Sequence, residues 1–303
     1  MIQVDNLSKN FGHFKALDHL SLNMEKGSVY GLIGPNGAGK TTLIKLLNGI
    51  FRPDEGMITV DGQPVWENDA LKERLIYVSD DLYYFSMATI KDLAQLYAGI
   101  YPQWNQDRFE RLKEAFPMDE NRRLIRLSKG MQKQAAFWLG LCTMPEVMIL
   151  DEPVDGLDPV MRRRVWSLML QDVAERQMTV LVSSHNLREL EDVCDHVGIL
   201  HQGKMLLQKN LDEAKSNVYK IQAAFPKDKE SAAIQALQDR FVVLHQETFG
   251  SVCRLIVKGE QAVVMDKIRQ MEPMLLDWLP LTLEEVFIYE LGGIGYDIAN
   301  IIL

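Results

Sequence analysis

This 303-residue sequence has few cysteines and no long apolar run. Its three cysteines are widely spaced and form no Cys-x-x-Cys pair, which excludes a zinc ribbon and a disulfide framework. We expect each cysteine to be a small, buried apolar residue. The longest apolar stretch, around residues 135–144, is too short to span a bilayer. The first residues also lack the basic and apolar regions of a signal peptide, which predicts a cytosolic chain.

Basic residues are fewer than acidic residues. The chain has 33 Lys and Arg residues against 42 Asp and Glu residues, and its formal net charge is −9. Because nucleic-acid phosphates require a basic surface, this excess of acid argues against general nucleic-acid binding. The hydrophobic content of 47% is that of an ordinary globular protein, and the length predicts about two domains.

Strand and helix patterns alternate through the first two thirds of the chain. Alternating or uniformly apolar segments predict strands at residues 2–4, 20–24, 28–33, 147–150, 179–182 and 197–200. A mostly helical stretch runs from about residue 80 to 144. This alternation indicates an α/β fold with a largely parallel sheet. Residues 216–303 follow a different pattern of short strands and helices, which predicts a smaller α+β domain.

A glycine-rich segment lies between the predicted strand at 28–33 and a predicted helix. It matches the phosphate-loop pattern G-x-x-x-x-G-K-[ST] in the context that this motif requires. Its glycines let successive backbone N–H groups converge on phosphate oxygens at a helix N-terminus. We expect Lys40 to reach the β- and γ-phosphates, Thr41 to ligate Mg²⁺ and Thr42 to contact the α-phosphate. The predicted loop residues are Gly34, Pro35, Asn36, Gly37, Ala38, Gly39, Lys40, Thr41 and Thr42.

Two acidic residues, Asp151 and Glu152, end a predicted apolar strand. In α/β sheets ligands bind at the carboxyl ends of the strands, so both acids are expected to face the phosphate loop. We interpret Asp151 as a residue that holds Mg²⁺, through a water molecule or from behind the direct ligands. Glu152 is then the residue that polarises an attacking water.

Three further motifs complete a resemblance to a known family. The segment 127–131 (Leu-Ser-Lys-Gly-Met) precedes the acidic pair, and the segments 156–158 (Gly-Leu-Asp) and 182–185 (Val-Ser-Ser-His) follow it. This ordered set resembles the ATPase subunit of an ABC transporter over roughly residues 1–212. The resemblance implies a P-loop ABC ATPase cassette at 1–215, with a mixed sheet and a helical subdomain at about 80–144. An accessory or dimerisation domain would follow at 216–303.

The resemblance also implies roles for individual residues. ATP would be sandwiched between two copies of the chain, and the partner copy's nucleotide would be contacted by Ser128, Lys129, Gly130 and Asp158. His185 would contact the γ-phosphate and orient the water together with Glu152, and Lys40 would complete the catalytic set. Phe11 would stack on adenine, with a core position near Leu17 as the alternative.

The sequence departs from the family pattern at two places that bear on these roles. Lys129 and Met131 stand where the family commonly has Gly and Gln. Asp80 stands where the family usually has a Gln that ligates Mg²⁺ and senses the membrane subunit. A carboxylate is a suitable ligand for Mg²⁺ but is shorter by one methylene, so we expect Asp80 to contact the ion directly or through a water.

Two apolar segments are candidates for protein contacts. Tyr83, Tyr84 and Phe85 follow Asp80 in a region that, in the family, receives a short helix from the membrane-spanning subunit. They are either interface anchors or part of the packing of the helical subdomain. The chain ends on an apolar tail that either completes the core of the second domain or pairs subunits; its apolar residues include Ile298, Ile301, Ile302 and Leu303.

The resemblance therefore predicts the ATP-binding and ATP-hydrolysing subunit of an exporter of peptides or amphipathic antimicrobial compounds, similar to those of Gram-positive bacteria. It implies ATP and Mg²⁺, a homodimer, a separate transmembrane permease and a position at the cytoplasmic face of the membrane. An importer ATPase with a regulatory C-terminal domain is one alternative. A protein acting on ribosomes or DNA is another, and the single cassette and the net charge of −9 argue against it. A module that binds ATP without hydrolysing it is a third, opposed by the intact catalytic residues.

Overall fold

The structure, a computed structural model, describes residues 1–211, 213, 218–226, 230–250, 252–282, 284–285 and 288. The chain divides into two compact units, Met1–Gln208 and Lys209–Leu303. The sequence predicted this boundary a few residues later, after residue 215. Each unit has a hydrophobic core of its own. The apolar tail with Ile298 and Leu303 lies outside the described residues.

The first unit opens with an antiparallel sheet of strand order β2-β1-β4-β5. Its strands are β1 (Ile2–Phe11), β2 (Phe14–Met24), β4 (Glu55–Val60) and β5 (Gln63–Pro64). β1 and β2 form a hairpin in which the predicted alternation holds over residues 2–4 and 20–24, where buried and exposed side chains alternate.

A six-stranded sheet carries the predicted parallel strands, in the order β10-β9-β3-β8-β7-β6. Its strands are β3 (Val29–Ile33), β6 (Leu75–Val78), β7 (Val147–Asp151), β8 (Thr179–Ser184), β9 (His196–His201) and β10 (Lys204–Asn210). The pairs from β9 through β3, β8 and β7 to β6 are all parallel. The segments that follow β3, β6, β7 and β8 therefore leave the sheet at the same edge.

Helices accompany this sheet along the chain. They are α1 (Lys40–Leu47), α2 (Asp69–Lys72), α3 (Ile90–Ile100), α4 (Gln106–Leu112), α5 (Lys129–Cys142), α6 (Pro159–Arg176) and α7 (Leu187–Leu190), with a 3₁₀ turn at Leu124–Arg126. α3, α4 and α5 occupy the range predicted for the helical subdomain. Within the described ranges, none of the helices has both the length and the apolar character needed to cross a bilayer.

The second unit is a small α+β arrangement. Its elements are β11 (Val218–Ala224), α8 (Glu230–Gln238), β12 (Val242–Phe249), β13 (Val252–Lys258), α9 (Gln261–Arg269) and β14 (Leu275–Leu279). The strands form one antiparallel sheet in the order β12-β13-β11-β14. The predicted fold class, an α/β cassette followed by an α+β domain, is confirmed.

The cysteines follow the prediction at two of three positions. Cys142 and Cys253 are buried, whereas Cys194 is half-buried. Burial raises the pKa of the Cys142 thiol to about 12, which makes it unreactive at neutral pH.

Candidate nucleotide-binding site

The phosphate loop turns where only glycine fits. It leaves β3 at Gly34, where a Cβ atom would lie 2.3 Å from the carbonyl oxygen of Leu200. Gly39 has φ of 111°, and a Cβ there would lie 2.8 Å from the Ala16 carbonyl oxygen. Both positions therefore exclude larger residues, and the loop delivers the chain directly to the N-terminus of α1. Backbone N–H groups at such an end form an anion site.

Lys40, the first residue of α1, is held inside this loop. Its side chain is only 6% exposed, and its Nζ donates a hydrogen bond to the Gly34 carbonyl oxygen at 2.6 Å. The same Nζ lies 3.3 Å from Glu152 Oε1. Because a buried ammonium must be paired, these partners fix its position beside the loop. The structure thus brings together the phosphate loop and the acidic end of β7, as the sequence predicted.

The ends of β7 and β8 are joined by a hydrogen-bond network around Glu152. Glu152 Oε2 lies 3.0 Å from His185 Nδ1. Ser183 Oγ donates to Asp151 Oδ1 at 2.6 Å and accepts from the Glu152 N–H at 3.1 Å. The sequence analysis included Ser183 in the motif at 182–185 but gave it no role, although a polar residue at the end of an otherwise apolar strand was the available signal. Asp155 adds a further carboxylate, whose oxygen lies within 4.8 Å of ligand atoms of Glu152 and His185.

A cavity of about 280 Å³ lies beside the loop. Its lining residues are Phe14, Ala16, Pro35, Asn36, Gly37, Gly39, Lys40, Thr41, Thr42, Asp80, Asp151 and Glu152. The three predicted Mg²⁺ residues, Thr41, Asp80 and Asp151, therefore share one cavity. Hydroxyl and carboxylate oxygens are the donors that Mg²⁺ prefers, so this set fits the ion.

The aromatic residue in this lining is Phe14, not the predicted Phe11. Phe11 is 45% exposed, so it does not occupy the core position near Leu17 either. Its ring packs edge-on against Phe51, with the centroids 5.4 Å apart. Phe14 follows it across the β1–β2 turn and is 62% exposed. Sequence spacing alone did not distinguish these two neighbours.

Asp80 has a protein partner that the sequence did not predict. Its Oδ1 lies 2.9 Å from Nζ of Lys133, a buried residue of α5. The same Nζ donates to the backbone oxygen of Glu152 at 2.7 Å. The available signal was a lysine within the run of apolar residues that α5 buries.

The residues predicted to act on the partner copy's nucleotide begin two helices. Ser128 caps α5, since its Oγ accepts from the Met131 N–H at 3.3 Å. Asp158 caps α6 in the same way. A Cβ on Gly130 would lie 2.5 Å from the Gly156 carbonyl oxygen, so Gly130 also has a steric reason to be glycine. Ser128, Lys129 and Asp158 are exposed, and none of these four residues lines the 280 Å³ cavity.

The three aromatics after Asp80 divide into two kinds. Tyr83 is 96% exposed and Phe85 is 70% exposed. Tyr84 instead donates its hydroxyl to the Gln132 carbonyl oxygen at 3.1 Å, and burial raises the pKa of this phenol well above its ordinary value. Tyr84 therefore shows the local packing that was the alternative interpretation, and the exposed pair is Tyr83 and Phe85.

Comparison with known proteins places this geometry in a family. Residues 17–155 match the family model described as ABC transporter. The ABC transporter ATP-binding protein YtrB of Bacillus subtilis (strain 168) is 32% identical over 293 residues, covering 97% of this chain and 99% of YtrB. The bacitracin transport ATP-binding protein BcrA of Bacillus licheniformis is 31% identical over 258 residues, covering 82% of this chain and 83% of BcrA.

The fold agrees with this assignment. A solved ATP-binding subunit of an ABC transporter is similar with a TM-score of 0.66 at 26% identity, over 71% of this chain and 92% of that one. The relatives and the site geometry together identify the activity as well as the fold. The chain belongs to the ATP-binding subunits of ABC transporters and is an ATPase.

Proposed function

We propose that this ATPase drives the export of peptides or amphipathic antimicrobial compounds through a separate membrane-spanning subunit. The observation that carries the hydrolytic part is the position of Glu152, whose carboxylate lies 3.3 Å from Lys40 Nζ and 3.0 Å from His185 Nδ1. The cargo class is supported by BcrA, which is named for bacitracin transport and is similar over 82% of this chain.

Nucleotide binding uses the loop and its lysine. The N–H groups of the loop and the Lys40 ammonium contact the β- and γ-phosphates, and Lys40 exchanges its bond to the Gly34 carbonyl for a phosphate oxygen. Thr42 contacts the α-phosphate. Thr41, Asp151 and Asp80 would hold Mg²⁺, directly or through water, and the bound ion would neutralise charge on the phosphates.

Hydrolysis then depends on how side chains of the site position the attacking water and the γ-phosphate. Glu152 accepts a proton from a water whose oxygen bonds to the γ-phosphorus, while the bond from that phosphorus to the β,γ-bridging oxygen breaks. His185 uses Nδ1 to hold Glu152, which leaves Nε2 for a γ-phosphate oxygen. Lys40 stabilises the charge that develops on the phosphoryl oxygens.

The proposed assembly uses residues that lie outside the cavity. Two copies sandwich two ATP molecules, and Ser128, Lys129, Gly130 and Asp158 of each copy face the nucleotide of the other. Tyr83 and Phe85 provide exposed aromatic anchors for the membrane subunit, which holds the ATPase at the cytoplasmic face. ATP binding closes the dimer, and hydrolysis reopens it.

Replacing Glu152 by Gln tests the hydrolytic role. We expect Glu152→Gln to bind ATP, to accumulate as a closed dimer in size-exclusion chromatography with ATP, and to release phosphate at least about 100-fold more slowly. Glu175→Gln is the matched control, because Glu175 is exposed on α6. Phosphate release by Glu152→Gln at the rate of the control would assign the water to another residue.

Purification from membranes tests the transporter role. The tagged chain, extracted from detergent-solubilised native membranes, should bring down a hydrophobic protein of several membrane spans in a fixed ratio, and this partner should raise the ATPase rate. Recovery from the soluble fraction alone would contradict the proposal of an exporter.

A further inference from the structure

A buried lysine on α5 joins two loops of the nucleotide site. Lys133 is 5% exposed, and its Nζ donates to the backbone oxygen of Glu152 at 2.7 Å. The same Nζ lies 2.9 Å from Asp80 Oδ1. A buried ammonium is costly unless it is paired, so these two acceptors fix the end of the side chain. Lys133 does not line the 280 Å³ cavity, whose lining includes Lys40, Thr41, Asp151 and Glu152.

The bond to Glu152 stabilises an unfavourable backbone conformation. Glu152 has φ of 45°, in the left-handed region that side-chain-bearing residues rarely adopt. Its N–H is held by Ser183 Oγ and its carbonyl by Lys133 Nζ. The main chain is therefore fixed on both sides of the residue whose carboxylate lies between Lys40 and His185.

The bond to Asp80 connects the same lysine to an exposed loop. Asp80 begins the segment that carries Tyr83 and Phe85, the exposed aromatics. Tyr84 of this segment donates its hydroxyl to the carbonyl oxygen of Gln132, the residue before Lys133 on α5. The segment is thus attached to α5 at two adjacent positions. These contacts connect the segment to the helix that carries Lys133.

We propose that Lys133 is a positioning residue for ATP hydrolysis, which holds the main chain of Glu152 and links it to Asp80 in the exposed aromatic loop. The inference rests on the proposed role of Glu152 as the residue that polarises water. It assigns to α5 a function within its own copy of the chain, in addition to the proposed contact of its N-terminus with the partner copy's nucleotide.

Lys133→Met tests this role, because it keeps the apolar stem and removes the ammonium. We expect kcat of the full chain to fall at least about tenfold, while the KM for ATP and the Kd of a fluorescent ATP analogue change less than about twofold. In the Glu152→Gln background, adding Lys133→Met should change the single-turnover rate by less than about twofold, because Lys133 acts through Glu152. Lys91→Met, an exposed lysine of α3, is the control and should keep the wild-type kcat.

Three outcomes would overturn the inference. The first is a kcat of folded Lys133→Met that stays within about twofold of wild type. The second is an equal loss of hydrolysis rate on adding Lys133→Met to the wild-type and to the Glu152→Gln chain. The third is a loss in kcat that is matched by weaker binding of ATP. Circular dichroism establishes that the variant is folded, and Lys133→Gln replaces it in the same measurements if it is not. If Glu152→Gln alone hydrolyses ATP normally, the proposed role of Glu152 fails instead.

Discussion

The sequence predicts the neighbours of some site residues and not of others. The glycines of the phosphate loop and Lys40 form one contiguous motif, so their neighbourhood is predictable. Lys133 is different, because its acceptors Asp80 and Glu152 lie 53 and 19 positions away along the chain. Only the folded sheet brings those groups within hydrogen-bond distance, and a lone lysine in an apolar helix gives no sign of which groups it meets.

The proposed aromatic contact with adenine has two candidate residues, Phe11 and Phe14. Phe14 lines the cavity, whereas Phe11 packs on Phe51. We expect Phe14→Ala to weaken binding of a fluorescent ATP analogue by about tenfold, the loss of one base-stacking contact. Phe11→Ala is the matched comparison, measured by the same titration, and should weaken binding less. The reverse order of the two affinities would assign the stacking contact to Phe11, as the family resemblance implies.

Strands and helices were predictable where their apolar patterns are regular. The buried strands β3, β7, β8 and β9 stand within a residue or two of the predicted positions. β1 and β2 are much longer than the predicted segments, because register shifts after Val4 interrupt the alternation that marks a strand. β4 and β14 carried no pattern that we recognised. Their place depends on pairing with β1 and β11, which lie far away in the sequence.

An ion pair between β6 and β7 gives a prediction at the element scale. Arg74, just before β6, forms two hydrogen bonds to the Glu146 carboxylate, just before β7. The bond from Arg74 is the main cause that lowers the pKa of Glu146. Because its folded pKa lies below the unfolded value, the pair stabilises the chain above the ordinary glutamate pKa, and this contribution is lost as pH falls through the folded value.

Glu146→Gln should therefore lower the free energy of unfolding by about 0.5 kcal/mol at pH 7, a small value because the carboxylate is 43% exposed. Urea denaturation at pH 7 and again in acid measures this difference, which should shrink as pH falls below 4.5, the ordinary value. Glu175→Gln serves as the control. A difference that stays constant with pH would show that the charge of Glu146 does not contribute.

The whole molecule consists of two units whose cores are separate. Buried residues of the first core include Leu32, Ile44 and Ile149, and those of the second include Ile221 and Leu255. The fold class was predictable from the change of pattern along the chain. The strand order of the second sheet was not, because strand pairing between distant segments leaves no mark on local composition.

This division predicts that the first unit folds alone. A fragment of residues 1–210, which ends with β10, should unfold in one cooperative thermal transition and bind a fluorescent ATP analogue within about threefold of the full chain. Circular dichroism and fluorescence titration measure the two quantities. A fragment without a thermal transition would show that the first unit depends on residues after 210.

The position of β8 in the six-stranded sheet has a consequence for synthesis. β3, which leads into the phosphate loop, and β7, which ends at Asp151 just before Glu152, are not neighbours; β8 lies between them and pairs with both. A ribosome makes β8 after both of its neighbours, so a growing chain carries all the residues of the loop and the acids before it can join them. Until residue 184 has left the ribosome, β3 and β7 have unpaired edges, and we expect the nascent chain to need protection from aggregation during that interval.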